Sequence, residues 1–96
     1  MPFRFKNFQG VEYEIVLRKP HPVYDAIALC QDPSVKNPKI YIDPDRSDTQ
    51  IIADLMHELT HAFFWKESET KVTKFSNNFS RLLREIRKEI KKKKST

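Results

Sequence analysis

Two histidines four residues apart, His57 and His61, enclose Glu58 within a segment that can fold in few ways. The surrounding apolar residues, Ile52, Leu55, Met56, Leu59 and Phe63, recur at helical spacing. In a helix, positions i and i+4 stand one turn apart on the same face, so both imidazoles can reach one cation. Zinc takes imidazole nitrogen at about 2.0–2.1 Å, which that arrangement permits. Glu58 follows the first histidine, about 100° round the axis, where its carboxylate can hold a water molecule and remove its proton. The helix is expected to start at Ser47, because Ser47-Asp48-Thr49-Gln50 has the form of a capping box.

Two histidines leave a catalytic zinc one protein ligand short, since such sites use three plus water. The better candidates are carboxylates after the helix, Glu69 or Glu67. Glu69 falls in the first turn of a second expected helix, which begins after Ser68 and could fold back toward the metal. His21 stands in a proline-flanked segment, and Cys30 lies mid-strand, where it would be an unusual ligand. Asp54, one turn before His57, is placed to orient an imidazole. Tyr24, Tyr41, His21 and Arg46 are all open as groups that could stabilise an oxyanion, and the sequence selects none of them.

Before the helix the pattern is that of strands. Residues 3–8 and 11–17 alternate apolar and polar around the turn signal Gln9-Gly10 and read as a hairpin. Residues 24–31 and 39–42 read as a third and a fourth strand, separated by a loop rich in proline and polar residues. After the helix, Val72, Phe75, Ser76, Phe79, Leu82, Leu83, Ile86 and Ile90 keep helical spacing. A helix from Ser68 to Lys93 would be about 39 Å long, so its last turns are expected to project into solvent. With 96 residues the chain reads as one domain over 1–96, with 84–96 a basic helix end or tail. The expected class is α+β: a three- to four-stranded, mostly antiparallel sheet packed on the motif-bearing helix and the long C-terminal helix.

These residues resemble the zincin metallopeptidases, and among them the minimal phage-type proteins related to the ImmA/IrrE and SprT-like groups. The likeness is carried by Lys39-Ile40-Tyr41-Ile42-Asp43, by the run from Asp54 to Trp65, and by Ser68-Glu69-Thr70-Lys71-Val72. It departs at Thr60, where many relatives have a smaller residue, and at Glu69-Thr70, where many have two acids. The resemblance implies zinc held by His57, His61 and, on the ImmA-like pattern, Glu69. It implies a metallopeptidase acting on a peptide or protein substrate, with Glu58 as general base, in the cytoplasm of a bacterium or phage-infected cell. The alternative is a non-catalytic binding protein on the same scaffold, contacting a host protein or nucleic acid.

Charge bears on that alternative. Residues 81–96 carry eight basic and two acidic groups, a net of +6, whereas residues 1–80 carry ten basic and eleven acidic, a net of −1. The basic character therefore belongs to the C-terminal end. Arg81, Arg84, Arg87, Lys88 and Lys91 to Lys94 could hold nucleic-acid phosphates, an acidic partner or a membrane surface. The plainer account is a solvated helix end whose cations meet the helix dipole. No aromatic residue is interleaved among these charges, so base stacking is not expected. No run of 18 apolar residues exists and the N-terminal residues lack an apolar core, so neither a membrane partner nor a secretory signal is expected. Cys30 is the single cysteine, which excludes an internal disulfide.

Overall fold

The computed structural model describes residues 3–94. The elements are β1 (Phe3–Lys6), β2 (Glu12–Val16), β3 (Ala28–Cys30), β4 (Lys39–Ile42), α1 (Asp48–Phe63) and α2 (Glu69–Lys94). The strands form one sheet in the order β1-β2-β4-β3. β1 and β2 are the expected hairpin, paired antiparallel with Phe5 opposite Tyr13. Its turn depends on Asn7 as well as on Gly10. The Asn7 side-chain oxygen accepts hydrogen bonds from the backbone N–H groups of Gln9 and Val11 at 2.9 and 2.8 Å. Gly10 takes φ of +82°, a conformation that side chains disfavour.

The sheet is mixed. β3 and β4 are antiparallel, but β2 and β4 run parallel, with Ile15 opposite Ile40. The chain leaves β2, forms β3 at the far edge and returns through β4 between them. The expected third strand over 24–31 shortens to three residues. Pro22–Tyr24 instead forms a 3-10 turn, and Asp25 follows it in the left-handed region at φ 46°. The two prolines at 20 and 22 and that left-handed residue prevent extended pairing until Ala28.

α1 lies across the sheet and contacts β3 and β4. Tyr13, Ile40, Ile42 and Ala62 form a fully buried core, joined at its margin by Ile51, Leu55 and Leu59. The face of α1 turned to the sheet is thus 51/55/59/62. Ile52, expected in the apolar stripe, is 41% exposed on the helix flank. The capping box at Ser47 forms as expected, with Gln50 N–H donating to the Ser47 hydroxyl and the Gln50 side chain accepting from Ser47 N–H. The α1 C-terminus closes where Phe64 N–H donates to the Thr60 carbonyl.

The sequence pattern led to the expectation that α2 packs against the sheet; instead its main contact is α1, giving three layers: sheet, α1, α2. Val72, Ser76 and Ser80, spaced by four, are its buried line. Small side chains at 76 and 80 let the two helices approach closely. Ser68 starts α2, its hydroxyl accepting from Lys71 N–H at 3.2 Å. From Arg81 to Lys93 every residue is exposed. The helix therefore extends beyond the body, and the molecule as a whole measures 49 × 26 × 26 Å with a radius of gyration of 14.5 Å. A compact chain of this length would have about 12.5 Å.

Candidate metal centre

Folding α2 back along α1 brings three donor groups together. His57 and His61 stand one turn apart on the α1 face turned to α2, and Glu69 enters from the first turn of α2. Nε2 of His57 lies 3.0 Å from Oε1 of Glu69, and Nε2 of His61 lies 2.8 Å from Oε2. The two Nε2 atoms are 3.1 Å apart. Among the described residues these three form a group of ligand atoms within 4.8 Å of one another. Ligands about 2.05 Å from a tetrahedral zinc stand roughly 3.3 Å from one another. The observed separations need to open by only a few tenths of an ångström to match. The donor set, two imidazoles and a carboxylate, is one that zinc accepts with a position left open.

The site lies at the edge of the fold. Both histidine side chains are largely covered, whereas that of Glu69 is 68% exposed, so solvent reaches the group from the α2 side. Burial lowers the pKa of His61, and the nearby His57 lowers it further against an opposing pull from Glu69. That favours the neutral imidazole a metal needs. The Ser76 hydroxyl lies 3.4 Å from Nδ1 of His57 and donates to the Thr73 carbonyl at 3.3 Å. A His57 ring protonated on Nδ1 would donate to Ser76, leaving Nε2 as the donor to a cation. Sequence spacing marked Ser76 as one more residue of the helix pattern. A buried serine in an apolar row was the available signal.

Glu58 is 8% exposed. Burial, then the charges of Glu69 and Asp54, push its carboxyl up to about 7. Glu58 directly follows His57 in α1. A carboxyl raised into this range can both take and return a proton near neutral pH.

The other sequence candidates lie elsewhere. Glu67 pairs with Lys71 at 3.2 Å. His21 caps the 3-10 turn, its Nδ1 accepting from Val23 N–H. Asp54 does not orient an imidazole. Its carboxylate takes the Arg46 Nε–H at 2.6 Å, which also occupies Arg46. Tyr41 faces away from α1, between Ile40 and Ile42 in the strand alternation, with the Arg18 guanidinium 5.4 Å from its ring centre. Tyr24 belongs to the exposed 3-10 turn. Cys30 donates to the Gln31 carbonyl, and burial beside Glu58 pushes its thiol up to about 12, so it is a packing residue with little thiolate. Comparison with protein-family models, with curated proteins and with solved structures finds no match, so the reading of this centre rests on its own residues and their geometry.

Proposed function

We propose that this chain is a small zinc-dependent metallopeptidase, with His57, His61 and Glu69 holding the metal and Glu58 as general base. One observation carries the reading: three ligand atoms converge at near-tetrahedral spacing beside a buried carboxyl whose pKa lies near neutrality. Bound zinc would supply Lewis acidity to a peptide carbonyl and to water. Glu58 then takes the proton of the attacking water and delivers it to the leaving amine. Ser76 fixes the His57 ring through Nδ1, and the α1 backbone holds the two imidazoles in register. The exposed side of Glu69 leaves room for a peptide to approach.

The test begins with protein purified without added zinc. Elemental analysis is expected to find one zinc per chain, and a mixed peptide library to be cleaved. Glu58→Gln should keep the metal and lose about 10²–10⁴-fold in turnover, the usual span for removing a general base. His57→Ala or His61→Ala should lose the metal. Wild-type turnover in Glu58→Gln would exclude the mechanism. A chain that retains no divalent ion would favour a binding protein on this scaffold.

A further inference from the structure

From Phe75 to Ile90, α2 exposes an apolar stripe. Phe75, Phe79, Leu82, Leu83, Ile86 and Ile90 are each between 37% and 51% exposed. They centre roughly 70° round the helix from the Val72–Ser76–Ser80 line that contacts α1, so they stay half-exposed beside that contact. The stripe runs about 22 Å along the axis. At its lower end it continues through Val72 and Phe75 to Phe64 of the α1 C-terminus, which line one shallow cavity. A contiguous exposed surface of this kind marks an interaction site.

Charge selects the occupant. The helix end carries a net of +6 over residues 81–96. Of its two acids, Glu85 is engaged by Arg81 at 3.3 Å. A second copy meets like charge in either direction. A parallel pair would bring the two lysine clusters at 91–94 side by side. An antiparallel pair centred on the stripe would set residues 91–94 opposite 74–71, where Lys74 and Lys71 stand. A nucleic acid would engage the basic residues and leave six large apolar side chains in water.

We infer that α2 from Phe75 onward lies in the surface of an anionic bilayer, with the Phe75–Ile90 stripe among the acyl chains and the basic residues of the helix end at the headgroups. A planar interface needs no complementary shape, and a basic amphipathic helix has the two features that such binding requires. No helix among the described residues is long and apolar enough to cross a membrane, and a helix lying in the surface needs no spanning length. This inference does not depend on the metal centre.

The test is co-flotation of the full chain with vesicles of phosphatidylcholine mixed with phosphatidylglycerol, and of phosphatidylcholine alone. Binding is expected to the mixed vesicles, weakened by salt, and not to phosphatidylcholine. Phe79→Ser combined with Ile86→Ser should abolish it. Arg84→Gln, Arg87→Gln and Lys88→Gln together should weaken it by roughly a hundredfold, since each charge near an anionic surface contributes several-fold. Circular dichroism checks that the variants keep the wild-type helix, since Phe79 and Ile86 are only 39% and 46% exposed. Absence of binding to the mixed vesicles, or binding that ignores the Phe79/Ile86 change, would overturn the inference. So would a wild-type dimer that the same change converts to monomer, because a second copy would then cover the stripe.

Discussion

At the scale of single residues, the centre depends on groups that differ in how they are held. His57 has the Ser76 hydroxyl at Nδ1 and the Glu69 carboxylate beside Nε2. Removing the outer partner should loosen the inner one. Ser76→Ala is expected to weaken zinc affinity by about 10–100-fold, as loss of such outer partners does, and competition with a fluorescent chelator measures it. Glu58 gives a second residue-level prediction. Its carboxyl has an ordinary value of 4.5 and is raised to about 7 in the fold. The folded state therefore binds that proton more tightly than the unfolded chain. The associated stability is fully present below about pH 4.5 and is lost as pH rises through 7. His61 acts in the opposite sense, since its lowered pKa removes stability as pH falls through the ordinary histidine range. In EDTA, the melting temperature of wild type relative to Glu58→Gln should thus decline between pH 5 and about 8. A difference that stays flat across that range would show that Glu58 is not buried as described.

At the scale of elements, α1 is fixed at its start by the Ser47–Gln50 capping box. Ser47→Ala should reduce stability by about 0.5–2 kcal/mol, read from urea unfolding. The consequence extends past the helix end, because α1 presents both imidazoles and the seat for α2. If zinc binds as proposed, the same substitution should leave its stoichiometry unchanged, since His57 lies three turns from the cap. The α1–α2 pairing is the joint on which the centre turns. Glu69 reaches the histidines because Val72, Ser76 and Ser80 settle α2 against α1.

At the scale of the whole molecule, the core is small and the last third of α2 adds little to it. Ile42→Ala, in the fully buried cluster, should cost about 2–5 kcal/mol. Deleting residues 84–96 should cost well under that, because every described side chain there is exposed. Comparing the two by urea unfolding would show whether the body carries its own stability. A metal that binds the folded chain alone adds to that stability by mass action.

The sequence by itself determined the elements whose cause is local. Period-two alternation and Gln9-Gly10 marked the β1–β2 hairpin, and Ser47 with Gln50 marked the start of α1. The spacing of His57, Glu58 and His61 defined one edge of the centre, because a helix fixes i and i+4 without reference to the rest of the chain. Tertiary structure decided what depends on distant partners. The parallel pairing of β2 with β4 follows from where the chain returns, which alternation does not encode. The closure of Glu69 onto the histidines, the exclusion of Glu67 and the engagement of Asp54 by Arg46 depend on the path between α1 and α2. The role of Ser76 and the uncovered stripe beyond it follow from which side of α2 meets α1. Helical periodicity shows that an apolar face exists; packing alone decides what lies against it.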